Sequence, residues 1–329
     1  MTGATARTGR AKHVAVPATA KHMDKRILRQ LAEFARTIRF SHTLFALPFA
    51  LGTALLAEPP YPEWRAFVLL VACMVAARTA AMGFNRVADA ALDARNPRTS
   101  DRAIPAGRLS RRAALAMTLT SGAAFVALAW GFYLLRENVW PGVLAPVFLA
   151  VLWGYSYTKR FTVLSHWILG FCLGLAPVGV WIALRGSLSM MPVLIGTAVM
   201  LWTAGFDITY SLQDLHVDRR EGLHSIPARF GRGSAFRWAA ASHLATLVFL
   251  APVALIDTRQ PSLGRMGFGS LLALGAIATE LVIQHIRVRR ASDVQIAAAF
   301  FPLNAFVSIM WLVGVFIDVV VGLELRVQA

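Results

Sequence analysis

The chain has 329 residues, 57% of them hydrophobic and only 15% charged, with a mean hydropathy of +0.58. Repeated apolar stretches at that density exceed what a soluble helical core holds and are what bilayer-spanning helices require, so a soluble enzyme is set aside. The formal charge of +16, which would suggest nucleic acid in a soluble protein, is read here through its distribution along the chain, and no nucleic-acid partner is expected.

Residues 1–35 carry no acid before Asp24 and are rich in Ala, Thr, Lys and Arg. They are expected to form a disordered basic tail against anionic lipid, although a mitochondrial presequence shares this composition. Residues 36–325 then read as one membrane domain with nine apolar runs, at 40–57, 64–83, 112–135, 141–157, 164–184, 191–210, 236–256, 266–286 and 297–320. The fold class is all-α, a polytopic bundle of nine transmembrane helices. The segments before the first run and after every second one carry 26 Lys and Arg, against 6 on the opposite side. By the positive-inside rule the N-terminus is cytoplasmic and the C-terminus outside. Cys73 and Cys172 lie inside apolar runs without CxxC spacing and read as small core residues.

The second run leads into "NRVADAALDARNPRTSDRAIPAG", where Asn85, Asp89 and Asp93 recur every four residues and share a helix face. The sixth run leads into "FDITYSLQDLHVDRREGLHSIPARFG", where Asp207, Tyr210, Asp214 and Asp218 recur at intervals of three and four. Both polar stripes leave the membrane on the same side, and Asp207 starts within the apolar run, where a carboxylate is costly. Carboxylates placed this way repel unless a cation sits between them, and oxygen ligands without His or Cys in register suit Mg²⁺. Two stripes would hold a diphosphate between two metal-binding faces. Arg95, Arg98 and Arg102 after the first stripe, and Arg219, Arg220 and Arg229 after the second, would supply counter-charge. Either stripe alone would also fit a solvated loop with surface ion pairs. His216 and His224 read as loop residues.

"YSYTKR" closes the fourth run on the same side, with Tyr155, Lys159 and Arg160. Lys and Arg there also serve as ordinary topology signals. Arg78 lies seven residues before Asn85, on the same face and about 10 Å deeper. A guanidinium at that depth needs an anion, either Asp207 or a ligand carboxylate or phosphate. Glu280 is a second intramembrane acid, with no companion motif, and is expected to find a structural partner in the bundle.

These residues together resemble the UbiA family of membrane aromatic prenyltransferases. The family pattern N-D-x-x-D-x-x-x-D stands here as Asn85, Asp89 and Asp93, with Arg86 in place of the usual Asp after the Asn. Its trailing segment appears as Arg98-Thr99 through Arg102 to Pro105 and Gly107, its second motif as Asp207, Tyr210, Asp214 and Asp218, and its central element as Tyr155 to Arg160. At the position after Asn85 the Arg86 side chain is expected to point about 100° away from the stripe. "FSHTLFALPFA" and both motif segments are similar to the 4-hydroxybenzoate polyprenyltransferase branch, which also includes the futalosine-route enzymes of menaquinone synthesis.

The resemblance implies transfer of a polyprenyl group from a polyprenyl diphosphate to an aromatic carboxylic acid, 4-hydroxybenzoate or a dihydroxynaphthoate, by Mg²⁺-dependent electrophilic substitution. Asp89, Asp93, Asp214 and Asp218 are the expected metal ligands. Asn85, Arg98, Arg102, Tyr155 and Lys159 are expected to bind substrate, Arg39 and Arg78 to hold the acceptor carboxylate, and Asp207 with Tyr210 to serve the chemistry. Tyrosines at the mouth would face the allylic cation. The expected home is the bacterial cytoplasmic membrane, multi-pass, with the active-site loops inside. Other acceptors such as haem or a chlorophyllide, and a secondary transporter, are the competing readings. The polar groups gather at one face and not at the midplane, which favours chemistry on a diphosphate headgroup over transport.

Overall fold

The structure, a computed structural model, describes residues 18–38, 45–255, 267–290 and 292–321, and among these the regular elements are all helical. They are α1 (Ala18–Thr37), α2 (Leu47–Ala57), α3 (Trp64–Ala88), α4 (Ala90–Arg95), α5 (Arg111–Arg136), α6 (Trp140–Thr158), α7 (Ser165–Arg185), α8 (Met190–Tyr210), α9 (Leu215–Arg220), α10 (Ile226–Leu255), α11 (Phe268–Arg290) and α12 (Asp293–Phe316). Among the described residues, seven helical stretches are long and apolar enough to cross a membrane. Of the nine expected runs, the remaining two correspond to α2, with 11 residues, and α6, with 19. At 1.5 Å per residue α6 is about 28 Å long, but its last turns carry Tyr155, Ser156, Tyr157 and Thr158.

Apolar side chains cover the outside of the bundle as well as its interior. Leu134, Leu244 and Val248 are 85%, 65% and 61% exposed, a surface suited to lipid and not to water. Inside, Phe45, Phe49, Trp202, Phe206 and Trp311 form an aromatic cluster where α2, α8 and α12 meet. The basic segment before the first run is not wholly irregular. Residues 18–37 form α1, and Phe34 and Ile38 pack with Val87, Leu109 and Ala114. Gln30 fixes this end by donating to the Arg108 carbonyl and accepting from the Ser110 amide.

Helix ends are set locally. The Ser110 hydroxyl accepts from the Ala113 amide at the start of α5, and Ser292 with Gln295 forms a capping box on α12. Asp318 accepts the Gly269 and Ser270 amides at 2.8 and 2.7 Å, satisfying two of the first donors of α11. α7 and α8 approach backbone to backbone. A Cβ on Gly170 would lie 2.1 Å from the Met200 carbonyl oxygen, and one on Gly174 2.3 Å from that of Gly196. α10 begins ten residues before the expected run and bends at Gly231, whose φ of 78° interrupts the helix.

Candidate active site

α3, α5, α6, α7 and α8 surround a cavity of about 400 Å³. Its lining on α3 runs from Leu70 to Arg86, sixteen residue steps or about 24 Å of helix. Most of that length is apolar, with Met74, Phe125, Phe132, Phe148, Leu173 and Val180 facing inward. One end is polar. Asn85, Arg86, Arg102, Tyr155, Asp207 and Tyr210 converge there, and Arg78 enters from the wall of α3.

The two acidic stripes meet at that end, and each carboxylate faces a base. α3 stops at Ala88 and α4 starts at Ala90, with Asp89 at the junction and the Asp93 amide still donating to the Asp89 carbonyl. Asn85 donates to Asp89 at 3.0 Å, and Arg160 reaches both Asp89, at 3.2 Å, and the Ala88 carbonyl. Arg102 donates from one nitrogen to both oxygens of Asp93, at 2.7 and 2.8 Å. Arg98 holds Asp214 with two nitrogens, its guanidinium lies 5.5 Å from the Tyr210 ring centroid, and Asn96 donates to Asp214 at 2.9 Å. Lys159 pairs with Asp218 at 2.8 Å, and Ser225 donates to that carboxylate's other oxygen at 2.7 Å.

These pairs set the electrostatics. Burial pushes the Asp89 carboxyl above its ordinary range, against the hydrogen bond from Arg160, and the neighbouring charge of Asp93 adds to the rise. Burial alone would weaken the Arg98 guanidinium's hold on its proton. The bonds and charge of Asp214 outweigh it and hold Arg98 above its usual value.

Two expectations change. The second stripe is not one straight helical face. A 3-10 turn at Ser211–Asp214 tightens the chain between α8 and α9, and Asp214 meets Arg98 while Asp218 meets Lys159. Arg86 is not turned out of the site either. It lines the cavity beside Asn85, because a long flexible side chain can reach back over its own helix. Arg39 lies outside the described residues. Glu280, for which a partner in the bundle was expected, keeps one buried carboxylate oxygen without a hydrogen-bond partner.

Arg78 makes no ion pair among the described residues, and its buried Nε has no hydrogen-bond partner. Asp207 pairs instead with His166, at 2.7 Å from Nδ1. Sequence reasoning passed over His166, a single histidine at the head of an apolar run, because its partners lie 41 and 60 residues away. Asn96, which donates to Asp214, was not singled out either.

Among the described residues no three His, Cys, Asp or Glu side chains converge closely enough to hold a metal unaided. The donor set nevertheless fits a hard divalent cation. Asp89, Asp93, Asp214 and Asp218 gather beside the polar end through their pairs with Arg160, Arg102, Arg98 and Lys159, without thiolate or imidazole among them, and partial burial disfavours the Asp89 anion. A cation that takes further ligands from a bound diphosphate needs only one or two of them.

Known proteins can be set beside this geometry. The UbiA prenyltransferase family model matches residues 46–310. A 4-hydroxybenzoate octaprenyltransferase of Vibrio atlanticus is 27% identical over 277 residues, which span 84% of this chain and 92% of that protein. One from Photobacterium profundum is 30% identical over 203 residues, 62% of this chain and 68% of that one. The apo structure of a UbiA homolog from Aeropyrum pernix superposes with a TM-score of 0.72 at 30% identity, covering 85% of this chain and 98% of that one. A UbiA homolog from Archaeoglobus fulgidus bound to GPP and Mg²⁺ shares the fold, with a TM-score of 0.62 at 19% identity over 86% of this chain and 99% of that one. With the family pattern running through most of its length, the chain belongs to the UbiA prenyltransferase family.

Proposed function

We propose that the protein transfers a polyprenyl group from a polyprenyl diphosphate to the ring of 4-hydroxybenzoate, inside the membrane. The observation that carries this is the cavity itself. A channel of about 24 Å along α3, apolar for most of its length, ends where Asn85, Arg102, Asp207 and Tyr210 converge beside the acid–base pairs, with Arg78, whose buried Nε has no hydrogen-bond partner among the described residues, in its wall. The channel takes the prenyl chain, the mouth takes the diphosphate, and Arg78 takes the acceptor carboxylate. The nine-span topology with a cytoplasmic N-terminus, and a bacterial cytoplasmic membrane as the home, belong to the same proposal.

Asp89, Asp93, Asp214 and Asp218 would hold Mg²⁺, which when bound supplies charge stabilisation to the leaving diphosphate. Arg98, Arg102, Lys159 and Asn85 bind and orient the same group, as fixed donors aimed at charge that grows in the transition state. The bond between the donor's first carbon and oxygen breaks, diphosphate leaves with the electron pair, and an allylic cation remains. The apolar lining keeps water from it. Tyr155 and Tyr210 line the polar end, where their rings would stabilise that cation. Asp207 accepts a hydrogen bond from the acceptor's hydroxyl, raising electron density at the neighbouring ring carbon. That carbon attacks, a carbon–carbon bond forms, and the ring proton passes to the released diphosphate, which restores aromaticity.

A dihydroxynaphthoate would present the same carboxylate to Arg78 and is the second reading. Protein purified in detergent is incubated with geranyl diphosphate, Mg²⁺ and either acceptor, and the products are identified by mass. Prenylated benzoate supports the proposal, prenylated naphthoate moves it to the second acceptor, and release of no diphosphate with either rejects it.

A further inference from the structure

His166 opens α7 and is 2% exposed. Both ring nitrogens are engaged. Nε2 lies 3.2 Å from the Ile226 backbone nitrogen, and Nδ1 lies 2.7 Å from Oδ2 of Asp207. An amide can only donate, so Nε2 must accept and carries no proton. The proton of the neutral ring is then on Nδ1 and points at the carboxylate.

The amide that fixes this tautomer belongs to the segment that holds the diphosphate end of the site. Ile226 follows Ser225, whose hydroxyl donates to Asp218, and the His224 amide donates to the carbonyl of Lys159, the base paired with Asp218. One imidazole therefore ties Asp207, at the cavity, to the segment around Asp218. The ring is buried and bonded at both nitrogens, which fixes its orientation.

We infer that His166 is a positioning residue: its Nδ1–H holds one oxygen of Asp207 and so sets where that carboxylate meets the acceptor hydroxyl. The inference rests on the prenyl-transfer reading for its consequence in catalysis, but not for its geometry. His166 does not take up the reaction's proton, because Nε2 is closed by the amide and Nδ1 is already protonated. Its effect falls on turnover and not on capture of the donor, since no nitrogen of His166 reaches the diphosphate groups.

The experiment compares wild type, His166→Leu and His166→Asn, full-length and in detergent, with geranyl diphosphate, Mg²⁺ and 4-hydroxybenzoate. Asn keeps an N–H donor near the Nδ1 position, and Leu does not. The expected result is a kcat lowered roughly a hundredfold in His166→Leu, a KM for geranyl diphosphate within about twofold of wild type, and recovery of most of kcat in His166→Asn. Unchanged kcat in His166→Leu overturns the inference, as does equal loss in both variants. A second measurement does not depend on activity. In protein labelled with ¹⁵N-histidine, the signal lost in His166→Asn should show the Nδ1–H tautomer, and it should shift in Asp207→Ala. An Nε2–H tautomer overturns the inference whatever the turnover. An inactive wild type with the Nδ1–H tautomer rejects the prenyl-transfer reading and leaves the positioning geometry supported.

Discussion

Replacing Arg78 by alanine separates a side chain retained for ligand from one retained for stability. Its Nε is buried without a partner and it joins no ion pair among the described residues, so truncation breaks no ion pair seen there. A charge in such a place costs the fold something, and its loss should leave thermal stability unchanged or slightly higher. For the acceptor the arithmetic runs the other way. Removing one partner of a hydrogen-bonded charge pair in a dry site costs about 2–5 kcal/mol. Taking about 3 kcal/mol, at 1.36 kcal/mol per tenfold, the KM for 4-hydroxybenzoate should rise roughly 150-fold. Arg78 lies seven residues, or about 10 Å, from Asn85 along α3, too far to contact the diphosphate end. The KM for geranyl diphosphate should therefore stay within about twofold. Initial rates with each substrate varied in turn, beside a melting curve, give all three quantities. Equal rises in both KM values would refute the carboxylate assignment, and a clearly lower melting temperature would show that Arg78 has a structural partner after all.

Asp214→Asn leaves the Arg98 fork facing a neutral amide and removes an expected metal ligand. Mg²⁺-dependent turnover should fall by a factor of about a hundred or more, and chelation of wild type should abolish product until Mg²⁺ is restored. Near-normal turnover in either case would remove the metal role. Gly170→Val places carbon where the Met200 carbonyl oxygen already is, so α7 and α8 must part. A loss of roughly 2–3 kcal/mol is expected on thermal denaturation, together with reduced activity, because His166 stands one turn away. Lys159→Met strands Asp218, which is 2% exposed, with Ser225 as its remaining partner. Allowing for the partial exposure of Lys159, the cost is about 2 kcal/mol of stability, and an unchanged melting temperature would count against the pair.

Much of this arrangement was legible because it is local in sequence. Apolar runs mark helices by length and hydropathy, and α5, α6, α7 and α8 begin and end within a residue or so of the runs at 112–135, 141–157, 164–184 and 191–210. Asn85, Asp89 and Asp93 stand out because a four-residue repeat of polar groups is unusual at the end of an apolar run. The features that escaped depend on distant partners or on backbone geometry. Nothing around His166 signals an aspartate 41 residues on, and the Gly231 bend joins a short helical piece to a long one that periodicity alone starts later. The 3-10 turn at Ser211–Asp214 was hidden by spacing that an α-helix would equally satisfy. α1 was missed because its basic, low-hydropathy residues suggest a tail, whereas Phe34 and Ile38 supply enough apolar contact to dock it.

The mouth also imposes an order on what it can bind. Arg160 reaches Asp89 on the first stripe while its neighbour Lys159 reaches Asp218 on the second, and Arg98, downstream of the first stripe, crosses to Asp214. With Arg102 on Asp93, four acids meet four bases, and the paired charge sums to zero. A bare cation entering there must compete with a guanidinium or ammonium at each carboxylate, and bare diphosphate must compete with a carboxylate at each base. A ligand bearing both signs lets the partners exchange in pairs, so that no charge is left uncompensated at low dielectric. Magnesium titrated calorimetrically into the protein alone should bind weakly, and inorganic diphosphate should tighten it at least tenfold, about 1.4 kcal/mol of coupling. By reciprocity, Mg²⁺ should tighten diphosphate by the same factor. Tight Mg²⁺ binding without diphosphate would mean that the ion pairs yield at little cost and that this account of the mouth is wrong.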